Sequence, residues 1–296
     1  MSSPHRTVIT WVLGGLGNQL FQYAAGAALA RRIGGTLLID RSDFRRYPLR
    51  SYALDAFAID TPAWSGDCPM HGVAGRLRRG RQWLANRGCA PQTGLRLLTE
   101  RGYAWQDIPE RGWNQGYLFG FWQSPRYFAP IEDELRRLFD PTRFLHPGIA
   151  EAYQQTGRPE AVAVHVRRGD YATNAQALAE HGLLDDAWYR QACGIMRQMV
   201  PGCHFHVFSD EPQVAARLFS GLADVTCHPV RTQEEDLLLL SHCRHKIIAN
   251  STFSWWAAWL GTSQDGVILA PRQWFSRRRL LTTPTVDLFP AGWLLV

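Results

Sequence analysis

Apolar and polar positions in this chain alternate between two periods. RTVITWVL (6–13) is an almost unbroken apolar run of strand length, followed by the loop GGLGN. An apolar-rich helix is predicted from about Gln19 to Arg32, and Thr36–Asp40 reads as a second strand. The chain therefore opens as a strand–helix–strand unit. Residues 64–101 are rich in Gly and Arg and poor in apolar repeats. They predict a surface excursion with one basic amphipathic helix near Leu77–Leu84. WNQGYLFGFW (113–122) predicts a strand and Tyr127–Phe139 a helix. A stretch rich in Pro and Gly then runs to about residue 160. Beyond it, strand-like runs recur at 161–167, 203–209, 224–228, 245–249 and 266–270. Helix-like runs lie at 186–199, 212–220, 234–243 and 253–261. This alternation predicts an α/β architecture, a parallel sheet covered by helices on both faces. The expected domains are 1–150 and 151–296.

The length of 296 residues supports this division, because compact domains commonly hold about 150 residues. Apolar residues make up 46% and charged residues 20%, a globular balance. No apolar run reaches the roughly 20 residues that span a bilayer, and the first residues lack the apolar core of a signal peptide. A cytoplasmic protein is expected. The six cysteines are scattered without a C-x-x-C pair, so neither a zinc knuckle nor a disulfide framework is indicated. His242, Cys243 and His245 lie close together, but no second ligand pair accompanies them. The net charge of +6 is carried almost wholly by arginine, and Lys246 is the only lysine. Such a balance suits an anionic ligand or an anionic membrane surface. It does not indicate nucleic acid, for which no motif is present. The basic segment near Leu77–Leu84 reads as a solvated face or as a peripheral contact with the inner membrane.

In parallel α/β sheets, ligands bind beyond the carboxyl ends of the strands. The residues there form a pattern. His165, Arg167, Arg168 and Asp170 follow the first strand of the second half; Ser209, Asp210 and Glu211 follow the next. Asn250, Ser251, Thr252 and Ser254 open a late helix. Guanidinium forks bind phosphate oxygens, and helix-start amides and hydroxyls donate to the same oxygens. Taken singly, each feature has a structural reading: an arginine paired with Asp170, or a helix cap at Asn250 or Ser251. Together, on adjacent strand ends, they point to a phosphate site. Glu234, Glu235 and Asp236 precede the apolar run LLLLSHC. A carboxylate there suits guanine, which offers N1–H and a 2-amino group; helix-dipole stabilisation is the alternative. The loop with Gly15 and Gly17 invites a dinucleotide fingerprint, but position 20 is Leu, so NAD is not expected. Its Asn18 and Gln19 suit hydroxyl or phosphate contacts.

GGLGNQLFQYA, HVRRGDY, FSDE and NSTFSWWAAWL, in that order, closely resemble the motifs of bacterial α-1,2-fucosyltransferases of glycosyltransferase family 11. The resemblance spans residues 14–260. It implies a GT-B-type fold, two Rossmann-like domains facing a cleft, with the acceptor on the N-terminal side and the GDP-sugar on the C-terminal side. It implies GDP-β-L-fucose as donor and a terminal β-galactoside as acceptor, such as lactose or a lipid-linked oligosaccharide. Transfer would invert the anomeric centre. It further implies that Arg167 meets the pyrophosphate and that Asp236 meets guanine, with neighbouring Glu235 as the alternative.

The expected catalytic group is Arg167 with Arg168, His165 and Asp170. The expected donor-binding group is Gly15, Gly17, Asn18, Gln19, Ser209, Asp210, Glu211, Asp236, Asn250, Ser251, Thr252 and Ser254. No D-x-D occurs, so metal-independent transfer is expected, with arginine and helix amides neutralising the leaving diphosphate. His165 and Asp170 are candidate bases for the acceptor hydroxyl. Trp255, Trp256 and Trp259 read as core, and Trp105, Trp113 or Trp122 as a sugar platform. Other readings are a different GDP-sugar transferase, an NAD-dependent oxidoreductase and a non-catalytic sugar-binding protein.

Overall fold

The computed structural model describes residues 6–72, 75–77, 80, 94–169, 175–261 and 265–296. Two compact units result, one of Met1–Leu138 with Val286–Leu288, the other of Phe139–Thr285 with Phe289–Val296.

The first unit is built on β1 (Thr7–Trp11), α1 (Leu16–Ile33), β2 (Thr36–Asp40), β3 (Leu95–Thr99) and β4 (Gln115–Phe119). Its four strands are all parallel, in the order β2-β1-β4-β3. Gly26 lets α1 press onto β1, because a Cβ there would lie 2.8 Å from Thr10 Cβ. Gly34 ends the helix in the left-handed conformation, φ 64°, where its N–H closes on Ala30 and Arg31 carbonyls. β3 lies within the segment expected to be an irregular excursion. LRLLT is a short apolar run flanked by polar residues, and only its pairing with β4 marks it as a strand. Six residues of the basic helix expected near Leu77–Leu84 (78–79 and 81–84) lie outside the described residues. The expected helix at 127–139 is shorter. Pro125 and Pro130 confine 125–131 to two 3-10 turns, and α2 (Glu132–Leu138) starts after them.

The second unit begins with α3 (Ala150–Thr156) and β5 (Ala161–Val166), which is buried along its whole length. Then come α4 (Ala175–His181), α5 (Asp186–Met199), β6 (His204–Ser209), α6 (Pro212–Leu218) and β7 (Val225–Cys227). α7 (Gln233–His242), β8 (His245–Ile247), α8 (Thr252–Leu260), β9 (Ile268–Ala270), α9 (Arg277–Leu280) and β10 (Leu294–Leu295) complete it. All six strands are parallel, in the order β10-β9-β8-β5-β6-β7. The chain winds outward from β5 in both directions, so the order reverses between β5 and β8. This is the doubly wound arrangement of a Rossmann sheet.

The unit starts at Phe139, ahead of the boundary expected at 150, because the Pro-rich stretch packs onto α7 and α8. Phe139 meets Trp256 edge-on at 5.5 Å, Tyr153 stacks on His242 at 3.8 Å, and His146 pairs with Glu235 at 2.7 Å. His242 is thus occupied in packing, and His245 Nδ1 accepts from Val267 N. Trp255, Trp256 and Trp259 are core, as expected. Lys246 is 3% exposed; its ammonium donates to the Cys243 carbonyl at the end of α7 at 2.5 Å. Burial pulls its pKa down to about 8. No helix among the described residues is long and apolar enough to cross a membrane.

Candidate active site

The reversal point of the second sheet places two loop starts side by side. β5 pairs with β8 with Val164 opposite Ile247, so Arg167 and Arg168 leave one strand beside the segment from Ile248 to Ser251. On the other flank, β6 pairs with Val166 opposite Ser209, which brings Asp210 alongside Arg167.

Asp210 holds the turn. One of its oxygens lies 2.7 Å from the Arg167 guanidinium, and the other accepts the Arg168 backbone N–H at 2.9 Å. A Cβ at Gly169 would crowd that carboxylate, so any larger residue after the two arginines would displace Asp210 from its present position. The Arg167 side chain remains 19% exposed. Arg168 is 6% exposed and fully committed. Its guanidinium donates to the Leu184 carbonyl, pairs with Asp186 at 2.7 Å and lies over the Tyr189 ring. Arg168 therefore ties the strand end to the start of α5 and is not a free anion ligand. Asp210, expected among the donor ligands, is instead the partner of Arg167. Asp170 lies outside the described residues.

His165 is buried within β5, and its Nδ1 has no hydrogen-bond partner. Burial first, and the charge of Arg167 second, pull its pKa down to about 4, with Asp210 opposing. It is a neutral imidazole at pH 7.

Past β8, Asn250 is 3% exposed and donates to the carbonyls of His181, Gly182 and Trp274. It joins three segments; the expected donor contact is replaced by this structural role. Ser254 likewise donates to the Ser251 and Ala249 carbonyls. Ser251 is the N-cap of α8, in extended conformation and with no side-chain cap bond. Ser251 and half-buried Thr252 thus stand at the helix start, where backbone N–H groups lack helical partners. Ser209 Oγ accepts the Glu211 N–H, and exposed Glu211 is the N-cap of α6.

At α7 the acids separate by role. Glu235 completes a capping box with Thr232 and pairs with His146. Asp236 Oδ1 is buried without a hydrogen-bond partner. Burial raises its pKa to about 7, with Arg231 opposing. Of the neighbouring carboxylates at 235 and 236, only Asp236 keeps an uncommitted buried oxygen.

In the first unit, the glycine loop is braced from within. Gln19 is completely buried; its amide donates to the Gly14 and Ser51 carbonyls and accepts the Ala53 N–H. It shapes the loop and is not a ligand donor. Gln22 acts in the same way, joining Leu13 N to the Gly120 carbonyl. Sequence reasoning missed it, although glutamine at i and i+3 on an apolar helix was the available signal. Asn18 accepts from Gln123, Gly15 is the N-cap of α1, and Gly17 is buried in its first turn. Trp113 and Trp122 are buried and cannot form a sugar platform, and half-buried Trp105 lies beneath the Arg126 guanidinium. Sequence reasoning also passed over Glu100, another bracing residue of this unit. It accepts the N–H groups of Phe121 and Trp122, and burial raises its pKa to about 7. It holds Trp122 at φ 55°, an unusual conformation for a residue with a side chain.

The sequence profile of glycosyl transferase family 11 matches residues 103–295. The chain belongs to this family. Among curated relatives, an α-1,2-colitosyltransferase of Escherichia coli is 31% identical, over 98% of each chain. The O-antigen biosynthesis glycosyltransferase WbnK of Escherichia coli is 30% identical, over 89% of this chain and 93% of that one. A bovine galactoside α-(1,2)-fucosyltransferase 1 is 27% identical, over 88% of this chain and 69% of its own length. Among solved structures, an Arg-to-Lys mutant of Arabidopsis thaliana FUT1 in complex with GDP matches with TM-score 0.52 at 14% identity. That match covers 90% of this chain and 71% of the other. The fold is α/β and GT-B-type, with one parallel sheet in each unit.

Proposed function

We propose that this family 11 glycosyltransferase moves L-fucose from GDP-β-L-fucose to the 2-hydroxyl of a terminal β-galactoside, inverting the anomeric centre. The observation that carries the reading is the pairing of two features of the second unit. Arg167 stands at the reversal point of the sheet, held by Asp210, and Asp236 keeps a buried, unpartnered carboxylate oxygen. The proposed roles follow from charge. Arg167 and the start of α8 at Ser251 and Thr252 meet the diphosphate. Asp236 accepts from N1–H and the 2-amino group of guanine.

As the bond from the sugar C1 to the phosphate oxygen breaks, negative charge grows on the β-phosphate. Arg167 then binds the transition state more tightly than the ground state, which lowers the barrier. The acceptor oxygen attacks C1 from the opposite face, and its proton passes to a base. Arg168 positions Arg167 by fixing the backbone between them. No metal is assigned to the leaving group, because arginine and helix amides supply the neutralising charge. The proposed setting is cytoplasmic surface-glycan or O-antigen synthesis, supported by the relative named for O-antigen biosynthesis.

A second reading, another GDP-sugar as donor, is favoured by the relative named as a colitosyltransferase. It uses the same guanine and diphosphate contacts.

The test is incubation of purified protein with GDP-fucose and lactose in the presence of EDTA, followed by mass and linkage analysis. The expected product is 2'-fucosyllactose. Arg167→Ala is expected to lower kcat/KM by about 10²–10³-fold, the usual cost of losing one transition-state charge partner. Tight GDP binding without transfer from GDP-fucose to any β-galactoside, alongside transfer from another GDP-sugar, would establish the second reading.

A further inference from the structure

The first unit holds a polar cluster that the donor chemistry does not use. Asp43 lies in the 3-10 turn Ser42–Arg46 that follows β2. Cys68 and His71, a C-x-x-H pair, lie on a segment pinned back against the same strand. Trp64 N donates to the Ile39 carbonyl at 2.8 Å, and Cys68 N donates to Ser42 Oγ at 3.2 Å. His71 Nε2 sits 3.0 and 2.8 Å from the two Asp43 carboxylate oxygens. One donor atom from each of Asp43, Cys68 and His71 lies within 4.8 Å of the others. Trp11 Nε1 donates to Asp43 at 2.8 Å and so fixes the carboxylate's orientation. Cys68 is buried at the back of the cluster, and His71 is exposed at its mouth.

We propose that Asp43, Cys68 and His71 bind one zinc-class divalent cation, which fastens the 64–72 segment to the turn after β2. The donor chemistry selects the ion. One sulfur, one imidazole nitrogen and one carboxylate oxygen form a borderline-soft set that suits zinc, whereas magnesium and calcium favour all-oxygen sites. Tetrahedral zinc separates such donors by roughly 3.3–3.6 Å. The Asp43–His71 pair therefore opens slightly from hydrogen-bond distance, and the sulfur draws closer. His71, exposed on its segment, can make that adjustment. On binding, the Cys68 thiol releases its proton to solvent as the metal–sulfur bond forms, and water fills the fourth position. This assignment does not rest on the proposed donor or acceptor.

The full-length protein, stripped with chelator and dialysed, is titrated with zinc chloride by calorimetry and with cobalt(II) by absorption. The expected result is about one zinc per chain and a thiolate-to-cobalt charge-transfer band, with zinc raising Tm. Affinity is expected to fall at least about tenfold in His71→Gln and in Cys68→Ser. The cobalt band should vanish in Cys68→Ser, and Cys227→Ser, an exposed cysteine outside the cluster, should behave as wild type. His71 is exposed, so His71→Gln keeps the test valid if Cys68→Ser does not fold. Absence of stoichiometric zinc, or equal affinity in wild type and His71→Gln, would overturn the proposal.

Discussion

At the end of β5, Arg167 and Arg168 are adjacent and meet different surroundings. Arg168 is enclosed by Asp186, the Leu184 carbonyl and the Tyr189 ring, whereas Arg167 pairs with Asp210 and keeps partial exposure. The pair of arginines was legible in the sequence; their partners were not. Asp210, which sequence reasoning assigned to the donor, pairs with Arg167. The parallel pairing of Val166 with Ser209 brings it there from 43 residues beyond Arg167. Asn250 and Gln19 misled for a related reason. Both are polar residues next to a glycine or serine loop, and both are consumed by backbone groups of other segments. Asp236 carries a residue-level prediction. Guanine binding uses its charged form, while burial holds its pKa near 7. GDP affinity is expected to fall about tenfold between pH 8 and pH 6. In Asp236→Asn, affinity should be low and nearly flat across that range. A wild-type affinity that falls no more steeply than that of Asp236→Asn would remove Asp236 from the guanine site.

Elements with a sustained apolar run were the legible ones. β5, β6 and helices α5 to α8 lie close to where their apolar runs predicted. β3 and β10 were not foreseen, because five and two apolar-leaning residues carry no period of their own and exist only by pairing. β6 and β7 also carry a feature with no sequence periodicity. His204, His206 and His228 form a ladder on the sheet, with His206 Nδ1 3.1 Å from His228 Nε2. Burial first, and neighbouring positive groups second, hold His206 near pKa 4 and His228 near 3. Both native values lie below the unfolded value of about 6.5. The unfolded chain therefore binds these protons first, and stability is lost as pH falls from about 6.5 towards 4. Glu100 and Asp236 are raised to about 7 and pull in the opposite direction over the same range. The informative quantity is thus a difference between proteins. From pH 7 to pH 5, wild type should lose about 2 kcal/mol more than His228→Gln in urea unfolding. Parallel losses in the two proteins would show that the ladder does not titrate on unfolding.

At the scale of the whole molecule, the α/β class and the family were legible: helices and strands alternate along the second half, and four separate motifs fall in family order along most of the chain. The unit boundary was less so. Pro and Gly marked 140–160 as a linker, yet aromatic packing on α7 and α8 places 139–157 within the second unit. One internal feature makes the chain a reporter of its own unfolding. Its single lysine lies under the end of α7, and no ε-amine is offered to solvent. An amine-acylating reagent at neutral pH is expected to leave Lys246 unlabelled in the folded protein and to label it in urea. Peptide mass analysis would read this directly. Rapid labelling of Lys246 without denaturant would contradict the burial described above. Lysine-directed crosslinkers and lysine-immobilised supports, which assume a surface dotted with amines, would accordingly find no side-chain handle on this enzyme until it unfolds.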